Sequence, residues 1–348
     1  MLPYSRPVFV FLLLCAVVLG ASAQDPIFSQ FYAAPWSLNP AMTGLFNGRW
    51  RATANYRDQW GSILTRHPFR TYSAAGEMRF QVGREDYFAL GIGALHDEAG
   101  VARYSQNKAQ VGGAFLKQLS GRPRRAAHYL SAGAQLGLGQ NSLDWGRLWF
   151  SRQFDPVAER PDPSLGNQEP SANGSTDLYP DFGAGLLWYC FFGKNGGSAY
   201  LGGAMHHLNQ PNISLLGDGR ERLYSRWSAH GGAQLPLNPR VSLMPAVLVM
   251  QQGPAFEAAT GLNLRYTNSD LHELALRAGL WARAVNRLGS GLHVDALTVA
   301  GMVELDRMTL GLSYDITVSD LVRANNSRGA FELSLSYIHP GERRQRVV

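Results

Sequence analysis

The chain has 348 residues, a net charge of +6 and 38 glycines, 14 tyrosines and 8 tryptophans, with a mean hydropathy of −0.17. After the first 23 residues nothing approaches the uninterrupted apolar run of about 18 residues that a spanning helix needs, which excludes a helical membrane protein. The basic residues are spread along the whole chain rather than gathered on one segment, which argues against nucleic-acid binding.

Residues 1–23 read as a secretory signal: Arg6 precedes an apolar run from Val8 to Leu19 that closes on Ala21, Ser22 and Ala23. Removal of this segment takes Cys15 with it and leaves Cys190 alone, so no internal disulfide is expected despite export. Residues 24–48 are neither strand nor helix in pattern. QDPIFSQFYAAPWSLNPAMTG, Gln24 to Gly44, holds four aromatics, three prolines and an Asn-Pro pair.

From residue 49 to 338 the sequence alternates with period two. In AFEAATGLNLRYTN, Phe256, Ala258, Thr260, Leu262, Leu264 and Tyr266 form one row and Glu257, Ala259, Gly261, Asn263 and Arg265 the other. GAFELSLSY repeats the pattern with Phe331, Leu333, Leu335 and Tyr337 against Glu332, Ser334 and Ser336. About fourteen such strands are expected. A soluble sandwich and a membrane barrel can both use them, but aromatics bracket the strands in pairs (Tyr72 with Phe80, Phe256 with Tyr266, Phe331 with Tyr337), as the interfacial girdles of a barrel do. Connections alternate as well. Those near 82–86, 193–197, 237–239, 267–270 and 305–307 are short, whereas 140–180, 209–222 and 317–328 are long, which is the asymmetry of short periplasmic turns and long outer loops. The expected fold is therefore all-β, a transmembrane antiparallel β-barrel of about 14 strands. The non-strand segment precedes it on the periplasmic side, and a short basic tail at 339–348, with Arg343, Arg344 and Arg346, follows it. Closure satisfies every backbone group in lipid without an edge.

The polar row then faces the lumen. Glu77, Arg79, Lys108, Glu257, Arg265, Glu273, Arg277, Arg283 and Glu332 all fall on inward positions, mixed in sign. They suit lumenal ion pairs that stiffen the barrel and also a solute pathway, since interior polarity alone does not separate channel from plug. No catalytic, cofactor or metal site is expected. Gly91-Ile-Gly93 and Gly183-Ala-Gly185 lie within strands and open no helix. His206 and His207 alternate along a strand and so point to opposite faces. Neither His96-Asp97-Glu98 nor His293 with Asp295 has a nucleophile that sequence places beside it. In the extended connection, Trp145 to Phe154 is a candidate ordered patch.

FSQFYAAPWSLNPAMTG, followed by Arg51, Asn55, Tyr56, Arg57, Gln59, Trp60 and Thr71-Tyr72-Ser73, resembles the PorP/SprF family of type IX secretion system membrane proteins of Bacteroidetes. The resemblance continues in MQQGPAFEA at 250–258, GLSYDITVS at 311–319 and RGAFELSLSY at 328–337. It implies an outer-membrane, non-enzymatic component of the type IX secretion and gliding machinery, with secretion components and a large secreted surface adhesin as partners and with no cofactor. A small-solute channel is the alternative. For Phe28, Gln30, Phe31, Tyr32, Pro35, Trp36, Asn39, Pro40 and Gly44 two roles stand side by side: contact with a partner, or packing of the periplasmic mouth. Both mature ends are expected on the periplasmic side.

Overall fold

The computed structural model describes residues 25–64, 67, 69–122, 126–162, 164–166, 174–192, 196–216, 219, 221–267, 274–286 and 291–340. The expected signal segment, Glu273 and the arginines of the basic tail lie outside the described residues. Fourteen antiparallel strands close into a barrel, in sequence order around the ring. They are β1 (Trp50–Gln59), β2 (Phe69–Val82), β3 (Asp86–Ala99), β4 (Tyr104–Arg122), β5 (Ala126–Ser142), β8 (Tyr179–Phe192), β9 (Gly197–His206), β10 (Arg226–Pro236), β11 (Val241–Gln252), β12 (Ala255–Thr267), β13 (Leu274–Asn286), β14 (Leu292–Leu305), β15 (Met308–Thr317) and β16 (Arg328–His339). The ring shuts where β1 pairs with β16. A separate hairpin of β6 (Phe154–Asp155) and β7 (Arg160–Pro161) stands in the longest connection. Among the described residues, no helix is long and apolar enough to cross a membrane.

Alternation decides which way the wall faces. Ile92, Leu201 and Leu280 leave 64%, 64% and 65% of their surface exposed on the outside, whereas Arg57, Glu77 and Glu332 are 5%, 2% and 2% exposed inside. That inverts a soluble sandwich, whose apolar row would be the buried one, and it fits a wall whose outer solvent is lipid. Aromatic pairs cap the outer face at both ends, with Trp50 and Tyr337 at 5.0 Å near one mouth and Tyr56 and Tyr72 at 5.1 Å near the other. The short connections 83–85, 237–240 and 306–307 define a short-turn mouth; 143–178, 207–225 and 318–327 define a long-loop mouth.

Register then builds the lumen chemistry directly. Arg57 stands opposite Glu332 across the closing seam, and Arg51 opposite Glu77 across β1 and β2. Each pair is one rung of a ladder, so a one-residue slip of β1 would turn Arg51 and Arg57 toward lipid. That penalty pins the closure.

Residues 25–49 contribute no strand to the sheet. They lie along the axis inside its enclosure, from Asp25 at the long-loop mouth to Gly44 near the short-turn mouth. The segment therefore sits deeper than the expected periplasmic rim: among the described residues, β16 finishes at the short-turn mouth, while Asp25 reaches the strand ends of the opposite one. The cause is polar complementarity, because the inward row offers donors and acceptors at every level of the lumen.

Candidate functional site

The lumen and the segment that fills it form one site. A chain with no sheet partner must find hydrogen bonds for its backbone elsewhere, and here the wall side chains provide them. Glu332 accepts the backbone N–H of Ser29 at 2.7 Å and of Gln30 at 2.9 Å. Glu77 accepts that of Gly44 at 2.9 Å, near the other mouth. Carbonyls are met in the same way: Asn55 donates to Ala33 O at 3.2 Å, Arg226 to Ser37 O at 3.0 Å and Ser131 to Ala41 O at 2.7 Å.

Local conformation follows from the prolines. Pro35 opens the single helical turn Pro35–Leu38 and Pro40 opens the 3-10 turn Pro40–Met42, positions where a fixed φ helps and a missing N–H is harmless. Asn39 between them is fully buried. Its Oδ1 caps the second turn by accepting Ala41 N–H at 2.8 Å. Its amide nitrogen lies 3.2 Å from Leu186 O and Gly203 O and 3.0 Å from His230 Nε2. Phe31 and Leu38 pack with Leu248, Met250, Ala259, Trp281 and Ala300 in the lumen's apolar cluster. Trp281 meets Phe31 edge-on at 5.4 Å and stacks on Tyr32 at 5.0 Å.

Trp36 explains two of the strand glycines. A Cβ at Gly91 or at Gly93 would overlap its ring, and one at Gly112 would stand 3.2 Å from it. The wall is thus notched to the shape of one side chain. Substituting Gly93→Val should lower the temperature at which the folded band converts on heating, by the equivalent of about 1–3 kcal/mol of overpacking. In a Trp36→Ala background the same change should cost distinctly less. An equal loss in both backgrounds would mean that the notch does not serve Trp36.

Electrostatics concentrates at two levels. Arg57 donates to Glu332 and, at 3.1 Å, to Asp315; Arg283 reaches the same Asp315 at 3.1 Å and Asp295 at 2.9 Å; Ser29 Oγ donates to Asp315 at 2.7 Å. At the long-loop mouth, Asp25 meets Lys108 at 2.6 Å, His207 at 2.5 Å and Arg226 at 3.1 Å. Burial alone would raise the Asp25 carboxyl, but His207, Lys108 and Arg226 hold it well below the usual carboxylate range.

All nine residues of the opening motif therefore face the wall of the barrel. Phe28, Gln30, Phe31, Pro35, Trp36, Asn39, Pro40 and Gly44 are buried, and Tyr32 is half-buried. Of the lumenal set, Glu77, Lys108, Arg283 and Glu332 join the networks above. Arg265 and Arg277 converge on Glu304. Arg79 covers the rings of Phe46 and Tyr87 at 5.6 and 4.5 Å. Glu257 lines a small cavity beside Ile27.

Sequence reasoning missed Asp25, Ser29, Asp181, His207, Arg226 and Asp315. Asp315 was within reach, since it shares the inward row of its strand with Ser313. His207 was not, because β9 ends at His206 and His207 takes φ 56°, which turns its ring back inward. The expected opposition of the two histidines is thereby corrected: both are buried in the lumen, His206 beside Leu38 O and His207 between Asp25 and Asp181. His96 bonds Asn107 while Asp97 accepts from Thr71, so that trio does not converge. Asp295 is held by Arg283 and Ser319.

Among solved structures, the chain is similar to the P. putida toluene transporter TodX (12% identity, 86% of this chain and 92% of that chain, TM-score 0.45). It is also similar to the CymD monoaromatic hydrocarbon channel (13%, 88% and 93%, 0.45) and the KdgM porin (7%, 82% and 98%, 0.38). Likeness at this level bears on neither substrate nor mechanism. No curated protein matches the chain. The sequence does match, over residues 20–337, the family described as Type IX secretion system membrane protein PorP/SprF. With that span and a closed barrel whose lumen holds the family-like motif, the chain belongs to the PorP/SprF family of type IX secretion system membrane proteins.

Proposed function

We propose that this outer-membrane barrel is a non-enzymatic, occluded scaffold of the type IX secretion and gliding machinery, which helps to export or anchor a large cell-surface adhesin. The observation that carries this reading is the filled lumen: residues 25–44 contact wall residues at every level from the long-loop mouth to the short-turn mouth. A solute channel needs a continuous aqueous path, and this arrangement does not favour one. Partner contact then belongs to the surfaces outside the lumen. The long-loop mouth, taken as the cell-exterior side, offers the connection 143–178. There Trp145 stacks on Phe150 at 5.8 Å, and Trp149 and, within the hairpin β6–β7, Phe154 are exposed. Exposed aromatics on an ordered loop suit a protein partner. The opening segment, whose side chains are taken up by the wall, shapes that mouth from within.

Two measurements test the reading. The purified chain in planar bilayers should show no large, steady open current. Affinity capture from outer membranes, read by mass spectrometry, should recover secretion components and a large adhesin. A large resting current, or capture that lacks both kinds of partner, overturns it.

A further inference from the structure

The contacts of Asp25 go beyond the packing of one residue. Two cations and an imidazole from three different wall elements converge on this single carboxylate: Lys108 of β4, Arg226 of β10 and His207 just past β9. Gln252 Oε1 accepts the backbone N–H of the same residue at 2.8 Å. Every one of these groups belongs to the wall, and Asp25 alone belongs to the segment. The wall thus carries a built carboxylate receptor, filled here by the chain's own side chain.

Two further observations show that the receptor has unused capacity. Arg226 spends one Nη on Asp25 and the other on Ser37 O, while its Nε has no hydrogen-bond partner although its side chain is only 10% exposed. A buried guanidinium N–H without a partner is costly. Arg226 also lines a cavity of about 260 Å³ together with Ile27, Gln252, Phe256, Glu257 and Asn286. That cavity is bounded on one side by the segment and on the other by β10 to β13. Its position beside the long-loop strand ends gives a ligand a route to Arg226 that does not first require the segment to move.

We propose that Lys108, His207 and Arg226 form a carboxylate-binding site at the long-loop mouth, occupied in this structure by Asp25 as an internal ligand, and that an incoming carboxylate competes with Asp25 and frees the leading end of the segment. The ligand first meets Arg226 where that residue lines the cavity, and the buried Nε is reached as Asp25 loosens. From there the ligand shares the guanidinium with Asp25 and then replaces it at Lys108. Exchange of one carboxylate for another leaves the buried cations paired throughout, so the step avoids exposing an uncompensated charge. Asp25 and Ile27 move out together, because Ile27 is part of the cavity wall. Release stops at Ser29 and Gln30, where Glu332 and Asp315 provide a separate hold. The inference goes beyond the scaffold role and is read by different measurements, so either can fail alone.

The test uses the full mature chain in detergent, with Phe28→Cys placed in a Cys190→Ser background so that one thiol reports on the leading end. Phe28 is buried in the occluded form, and maleimide labelling should accordingly be slow. Asp25→Asn should speed it by roughly tenfold or more, the scale expected when charge-assisted hydrogen bonds are lost. On the unsubstituted Asp25 chain, sodium acetate or hexa-aspartate should do the same relative to sodium chloride of equal ionic strength and to hexa-asparagine. Arg226→Gln should abolish that response. A response to acetate alone assigns the site to small carboxylates, and one to hexa-aspartate alone assigns it to acidic peptides. Unchanged labelling in Asp25→Asn overturns the proposal. So does acceleration by Asp25→Asn with no effect of either carboxylate, or an equal effect of sodium chloride or hexa-asparagine.

Discussion

Deleting residues 25–44 should leave a barrel that still inserts and still shifts on heating, but that conducts. Arg57 with Glu332, Arg57 and Arg283 with Asp315, and Arg51 with Glu77 are wall-to-wall pairs, and they persist without the segment. The groups that lose their partners are polar side chains aimed into the lumen, and water entering the lumen resolvates them. The true loss is apolar. Phe31 and Leu38 leave Leu248, Met250 and Trp281 facing water, at about 1.5–3 kcal/mol for each large side chain re-exposed. The folded band should therefore convert at a lower temperature, while planar bilayers should register a steady current that the intact chain lacks. A deleted barrel that inserts but remains silent would show that the wall itself closes the path. One that fails to insert would give the segment a role in assembly.

The sequence made the wall legible and left its contents obscure, for a physical reason. Alternation is imposed locally, because a residue's face follows from its position in the strand, so strand number, connection asymmetry and the inward placement of Glu77, Arg283 and Glu332 could be read directly. The destination of QDPIFSQFYAAPWSLNPAMTG could not, because its contacts lie far off in the chain. Ser29 meets Asp315, Asn39 meets Gly203, and Trp36 rests in a notch cut by Gly91, Gly93 and Gly112. Those glycines carried no sign of their occupant. Glycine within a strand commonly marks a bend, whereas the missing side chains here make room for an indole. The two roles open to the motif were packing at a mouth or contact with a partner, and the structure places the motif along the whole lumen. The parity rule failed at His207, where a positive φ ends the strand and brings inward a residue that alternation sends outward.

The segment touches strands on all sides of the ring, from β1 to β16, so it braces the wall against ovalisation in the way a spoke braces a rim. Where the groups are fully paired, as around Arg57, Glu332 and Asp315, the polar networks support that bracing, whereas a half-satisfied group weakens a structure.

The most consequential single side chain in those networks is Arg57. It is 5% exposed, stands opposite Glu332 in the closing register, and serves Glu332, Asp315 and, at 2.8 Å, Ser29 Oγ. Glu332 and Asp315 are 2% and 1% exposed. Removing one member of such a group strands the charges that remain, and breaking a buried pair in this way costs about 3–5 kcal/mol. Arg57→Ala should accordingly lower resistance to urea and heat by that amount in the intact chain. Arg57→Lys should recover only part of it, because an ammonium cannot present the two-pronged geometry that reaches both carboxylates. The decisive comparison is a second set of substitutions: Glu332→Gln with Asp315→Asn, introduced into Arg57→Ala, should restore much of the loss by neutralising the stranded charges. In the deleted barrel, where water reaches the lumen, Arg57→Ala should cost far less, since an exposed pair contributes about 0–1 kcal/mol. Equal costs in the plugged and unplugged barrels would mean that the segment does not keep this network dry, and the occluded lumen would lose its main energetic support.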